Sequence, residues 1–189
     1  MKIYTRKGDD GTTGLLYGGR VPKDSPAIAV NGAVDEAQAA LGLARALATG
    51  DDREPDPELD DLLVRLEREL YVLMAEVATA PGNRSKLEPG RTLVTAEMVS
   101  SLETDIDRLT GRFSMPTEFV VPGGTRTAAA LDVARTVVRR AERLAIALDL
   151  SAESQIGPYL NRLSDLVWTM ARWQEGGSIS SRTGKAVGS

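Results

Sequence analysis

The chain has 189 residues, 42% apolar and 26% charged, with a net charge of −4, no cysteine and no histidine. That is enough for one domain with a real core. It excludes disulfides, thiolate chemistry, sulfur-built zinc sites, any Ser-His-Asp triad and an overall basic field for nucleic acid.

Residues 1–30 read as irregular, with Gly, Pro and turn residues throughout. Five helices are expected after them. The first spans about 32–49 and ends at Gly50, a usual capping residue. An acidic, Pro-containing linker follows, "GDDREPDPE". The second spans about 57–79, with Leu59, Leu62, Leu63, Leu66, Leu70, Leu73 and Val77 at helical spacing. After a loop at 80–94, the third helix starts at "TAEM", with Thr95 as its cap, and runs to about Arg112. A second irregular piece covers 113–126. The fourth and fifth helices span about 125–149 and 157–175. The tail, 176–189, is expected to be mobile. Only "EFVV" and "KIY" have strand character, and both are short, so nothing reads as a sheet. The expectation is an all-α single domain: a loop segment at 1–30, a helical bundle at 31–175 and the tail. No apolar run approaches the ~20 residues that span a bilayer. The opening "MKIYTRKGDD" lacks the apolar stretch of a secretory signal. A soluble, cytoplasmic protein is expected.

Without His or Cys, chemistry must rest on carboxylates, Arg, Lys, hydroxyls and backbone amides. Four stretches concentrate these. "TRKGDDGTTG" at 5–14 offers glycine turns, cations and threonine hydroxyls, the donors of an anion site; the same residues make a solvated loop with two tight turns. On the fourth helix, Arg135, Arg139 and Arg143 lie at i, i+4, i+8, flanked by Arg140 and Glu142. Three arginines in one row repel unless an anion faces them, and a triphosphate would suit their forked donors. A solvated face with Glu–Arg support is the plainer account. "VPGGT" at 121–125 places a tight turn and free N–H groups at a helix start, or simply a helix entry capped by Thr125. "NRLSD" puts Asn161, Arg162 and Asp165 in about one turn of an otherwise apolar helix, as a structural network or a ligand site. Asp35 and Glu36, in "VDE", sit near the first helix's start, where the dipole favours acids.

"KIYTRKGDDGTTGLL", "GAVDE" at 32–36, "VPGGT", "ARTVVRRAER" at 134–143 and "NRLSD" occur in this order and spacing, and together they resemble the PduO-type ATP:cob(I)alamin adenosyltransferases over residues 1–175. The resemblance implies a five-helix bundle assembled as a homotrimer with sites between subunits. It implies transfer of the 5′-deoxyadenosyl group of ATP to the cobalt of reduced cobalamin, with Mg²⁺ assisting and triphosphate released. Base-off cob(II)alamin would be the bound precursor. Thr5, Arg6, Lys7, Gly8, Gly11 and Thr13 would fold over the phosphates, and Lys23 would add a cation. Arg139, Arg140, Glu142 and Asn161 match ATP-binding positions, with Arg143 joining them. Asp35 and Arg135 match a pair that supports corrinoid binding at the subunit boundary. Phe119 matches the aromatic that helps displace cobalt's lower ligand. A cobalamin reductase and an adenosylcobalamin-dependent mutase are the implied partners; nucleic acid and membrane are not. Two rivals stand beside this reading: a non-catalytic cobalamin carrier, and a nucleotide-binding helical adaptor without corrinoid.

Overall fold

The computed structural model describes residues 2–49 and 56–187. Its frame is five α-helices: α1 (Pro26–Ala48), α2 (Pro57–Val77), α3 (Ala96–Thr110), α4 (Arg126–Ala145) and α5 (Ile156–Glu175). The all-α bundle is as expected. Each of the seven apolar residues read along the second helix is buried. Each such side chain contributes roughly 1.5–3 kcal/mol by leaving water. The seam of α4 is also inside, with Leu131, Ala134, Val138, Ala141 and Ala145 buried. Its small residues let α1 and α5 approach closely. Thr95 caps α3 by accepting from the Met98 amide, and Thr125 caps α4 by accepting from the Ala128 amide.

The first helix begins six residues earlier than expected. Pro26 looks like a loop residue, but its missing N–H and fixed φ suit a first helical turn. Val30 beyond it is fully buried. The Gly50 cap and most of the linker, residues 50–55, lie outside the described residues.

Short strands correct the expectation of no sheet. β1 (Thr12–Gly14) pairs antiparallel with β2 (Arg20–Pro22). β3 (Val120–Val121), β4 (Ser178–Ser180) and β5 (Ala186–Val187) form a second, three-stranded sheet. The tail read as mobile therefore supplies two of these strands, and Ser178 and Ser180 in it are buried. Two or three residues per strand are too few for a periodic signal, which is why composition did not reveal them.

Cross-contacts set the helix directions. Arg45 of α1 pairs with Asp60 of α2 at 2.6 Å, and Gln38 donates to the Glu67 carbonyl at 2.9 Å. Arg65 of α2 meets Asp105 of α3, while Arg112 just beyond α3 meets Glu58. Asn161 of α5 donates to Glu142 of α4, and Arg172 pairs with Asp132. Each of these helix pairs is antiparallel. One end of the bundle thus gathers the start of α1, the end of α2, the end of α4 and the start of α5. The other gathers the start of α4, the end of α5 and the three-stranded sheet. Between them, Tyr159 donates to Glu69 at 2.8 Å. Burial pushes the Glu69 carboxyl above its usual range and the phenol well above its own.

Candidate functional site

The N-terminal segment lies at the first end. Leu16 donates to the Ala78 carbonyl at 2.9 Å, which docks the segment on the end of α2. Arg20, on β2, holds the loop before it. Its Nε donates to Thr12 Oγ1 at 2.8 Å, and its Nη2 reaches the carbonyls of Lys7 and Thr12. Asp10 accepts from the Thr12 amide at 2.9 Å and hydroxyl at 2.8 Å. Those two bonds, backbone first, hold its carboxyl below the usual carboxylate range. Gly11 takes φ +81°, a turn only glycine adopts without strain. A Cβ on Gly8 would stand 3.1 Å from Lys23 Nζ, so the Lys23 ammonium lies directly over that glycine. Thr5, Arg6 and Lys7 are exposed. The result is a polar loop, braced from inside, with cations and hydroxyls at its surface.

At the same end, α4 and α5 carry a chain of polar side chains. Arg139, half-exposed, is 3.9 Å from Glu142, and Glu142 accepts from Asn161 at 2.8 Å. Asn161 accepts from Arg162, which continues to Glu103 of α3 at 2.8 Å. Arg143 folds back one turn to donate to the Arg139 carbonyl at 3.1 Å. Arg140 leaves this row and pairs with Glu36 of α1. Among the described residues no hydrogen bond joins the N-terminal loop to the arginine row.

Further down α4 is a cavity of about 510 Å³. Phe119, Val120, Pro116 and Pro122 form one wall, Trp168 another, and Arg135, Arg182 and the Asp132–Arg172 pair supply the charge. Phe119 is 83% exposed, which is extreme for an aromatic side chain with no partner. Arg135 lies 3.8 Å from Asp132, and its buried Nε has no hydrogen bond. Beneath the cavity Arg172, 1% exposed, donates to Asp132 at 2.7 Å, lies 2.9 Å from Glu175 and sits 5.7 Å from the Trp168 ring centroid.

Gly124 explains its motif differently from an anion site. Its N–H does find an acceptor at the α4 start, but the acceptor is Glu175 Oε1 of the chain itself, at 3.0 Å. A Cβ there would fall 2.5 Å from Glu175 Cγ, so only glycine fits. Asp35 is exposed on α1 and makes no ion pair among the described residues; within one chain it does not meet Arg135.

The structure therefore brings Gly8, Gly11, Thr13 and Lys23 into one loop, and Arg139, Glu142, Arg143 and Asn161 into one row. It puts Phe119 and Arg135 on one cavity. Sequence reading missed Arg20, Arg172, Glu175 and Arg182. The first three act through contacts 8 to 51 residues away, and no local spacing marks them. Among the described residues no group of three or more acids could hold a metal ion. Among the same residues no helix is long and apolar enough to cross a membrane.

A family model for cobalamin adenosyltransferase matches residues 3–174. The chain is 38% identical over 177 residues to a corrinoid adenosyltransferase of Bacillus subtilis, covering 91% of this chain and 86% of that one. It is 34% identical to the corrinoid adenosyltransferase PduO of Salmonella typhimurium, covering 93% of this chain but only 50% of that protein, so it spans about half the length of that relative. A solved structure of a PduO-type ATP:corrinoid adenosyltransferase from Lactobacillus reuteri, a phenylalanine-to-histidine variant complexed with cobalamin and ATP, superposes with a TM-score of 0.82. It is 29% identical and covers 97% of this chain and 98% of its own. An arginine-to-lysine variant from the same source, complexed with ATP, has a TM-score of 0.76 at 29% identity, covering 92% of this chain and 94% of its own.

Proposed function

The chain belongs to the cobalamin adenosyltransferase family, in its PduO type, and on that premise we propose that it transfers the 5′-deoxyadenosyl group of ATP to the cobalt of a reduced corrinoid. One observation carries the assignment of sites. The cavity residue Arg135 lies about one turn of α4 before Arg139 and two before Arg143, about 6 Å of rise for each four residues. A corrin in the Phe119 cavity and a triphosphate on the arginine row would then be held by a single helix, with the ribose carbon between them.

Cobalt(I) is itself a strong nucleophile. It attacks C5′, the cobalt–carbon bond forms, and the C5′–oxygen bond breaks with its electron pair leaving on triphosphate. The chain needs no general base for this step, in keeping with the absence of His and Cys. Its residues position the two substrates and stabilise the charge on the leaving group. Arg139 and Arg143 face the phosphates, while Glu142 and Asn161 hold Arg139 in place. Lys7, Lys23 and the loop amides close over the same phosphates. Arg140 joins them only by exchanging its Glu36 partner. Mg²⁺ would enter as an ion carried by the nucleotide, since such ions take one or two carboxylates and complete their shell with phosphates and water; Glu142 is the carboxylate this row could offer it, and the ion would add charge neutralisation on the triphosphate.

Phe119 stands against the lower face of the corrin and excludes water and the nucleotide base. Base-off cob(II)alamin is thus the bound precursor, and loss of its axial ligand makes reduction easier. Arg135, with an unsatisfied buried Nε, offers a donor to the corrin's amide rim. Its pairing with Asp35 requires a second subunit, consistent with a homotrimer having sites between chains. The product passes to an adenosylcobalamin-dependent enzyme in the cytoplasm, and a reductase supplies the electron.

Mixing the protein with ATP and chemically reduced cobalamin tests this. The expected result is the light-sensitive spectrum of adenosylcobalamin. A corrin spectral change without product would select a carrier, and no change a nucleotide-binding adaptor.

A further inference from the structure

The C-terminal hairpin lies beyond the segment that the family model matches, yet it forms part of the Phe119 cavity. Its geometry is closely determined. Ser181 donates to the Phe119 carbonyl at 2.8 Å, continuing the β3–β4 ladder. The fully buried Ser180 hydroxyl donates to Glu118 and accepts from the Arg182 and Thr183 amides at 3.1 and 3.2 Å. Gly184 closes the turn at φ +64°. Arg182 is therefore set on the cavity by a braced turn.

The charges around it are unequally paired. Glu118 is engaged by Ser180, and Asp132 by Arg172 and Arg135. Arg182 has no ion pair or side-chain hydrogen bond among the described residues. It is a cation at the mouth of a cavity in which Asp132 is paired with two arginines and Glu118 is held by the Ser180 hydroxyl. Cobalamin offers few anions. The groups around its corrin are neutral amides, and its one negative charge is the phosphodiester of the nucleotide arm. When the base leaves cobalt, that arm must swing away from the lower face, towards the rim.

We infer that Arg182 binds the phosphodiester of the displaced nucleotide arm, and so selects complete cobalamin over corrinoids that lack the arm. This rests on the corrin-site reading above. The contact is charge-assisted and suits a forked guanidinium.

The test is a spectroscopic titration with cob(II)alamin and with cob(II)inamide, which has the same ring but no nucleotide arm, each in the presence of ATP. Arg182→Gln should bind cobalamin about tenfold more weakly and cobinamide within about twofold of the parent. Arg182→Lys should recover much of the loss. Added salt should weaken cobalamin binding more in the parent than in the glutamine variant. Equal loss for both corrinoids, or loss for neither, overturns the inference while leaving the corrin site intact. A parent protein that binds neither corrinoid overturns the site reading and the inference with it.

Discussion

The Phe119 cavity and the N-terminal loop hold polar groups in place by opposite means. Below the Phe119 cavity the charges are buried: Arg172 and Glu175 are each 1% exposed and Asp132 is 7% exposed. In the N-terminal loop the corresponding clamp is open to water, with Arg20 at 43% and Asp10 at 64%. Exposed pairs contribute about 0–1 kcal/mol, whereas removing one member of a buried pair leaves an uncompensated charge. The cavity end is therefore rigid scaffolding, on the proposed reading under a corrin. The loop end is held just firmly enough to present its donors, and can rearrange at little cost around the phosphates proposed for it.

The largest expected effect is at the buried end. Arg172→Met strands Asp132 and Glu175 and should cost about 3–5 kcal/mol in a denaturant titration. Loss of under about 1 kcal/mol would mean that the cluster is not a keystone, and the contrast between the ends would disappear.

Two substitutions on the proposed substrates' contacts should then separate. Arg139→Ala should weaken ATP binding by about 1.5–3 kcal/mol in calorimetry, with the melting temperature and corrin binding nearly unchanged. Phe119→Ala should leave ATP affinity and stability within about 0.5 kcal/mol, because its ring is 83% exposed. It should lower the population of four-coordinate cob(II)alamin seen by magnetic or electronic spectroscopy, and slow adenosylation. If both variants lose both ligands, the two sites are not independently built.

The same contrast explains what could be read from the sequence. The seam of α2 was legible because burial repeats every three to four residues, from Leu59 to Val77. Turn chemistry was legible at Gly8 and Gly11, and the Arg139–Arg143 row by its spacing. Gly124 was visible as a turn residue, but its reason was not: Glu175 lies 51 residues away. The strands at 178–180 and 186–187 were invisible because their stability comes from Phe119's backbone and Glu118, not from their own composition. Arg140 was grouped with its row by adjacency, yet its partner Glu36 is on another helix, 104 residues away.

A smaller effect is expected from Arg20→Ala. This removes the donors to Thr12 and to the Lys7 carbonyl, so residues 7–12 lose their brace but not their fold. ATP affinity should fall by about 0.5–1.5 kcal/mol, and amide exchange across the loop should quicken without nucleotide. A melting temperature that drops with it would show the loop to be part of the core, contrary to the exposed clamp.

The smallest effect is the titration of Asp10. Its carboxylate accepts from the Thr12 amide and hydroxyl and lies 3.5 Å from Arg20. All of these favour the charged form, so its pKa sits below the ordinary 3.8. The sign follows. The loop's contribution from this group is fully present above the ordinary carboxylate value, and is lost as pH falls through the lower, folded-state value. Between pH 5 and 8, a window well above both, the clamp should not respond to pH at all. The Thr12 amide resonance, followed by NMR, should therefore stay fixed across neutral pH and titrate with a midpoint below 3.8. In Asp10→Asn the midpoint should vanish, while global stability stays unaltered, since the pair is in water. A midpoint at or above 3.8 in the parent would mean that the Thr12 bonds do not hold in solution. The loop would then meet its phosphates unbraced, with Arg20 free to serve as one more cation.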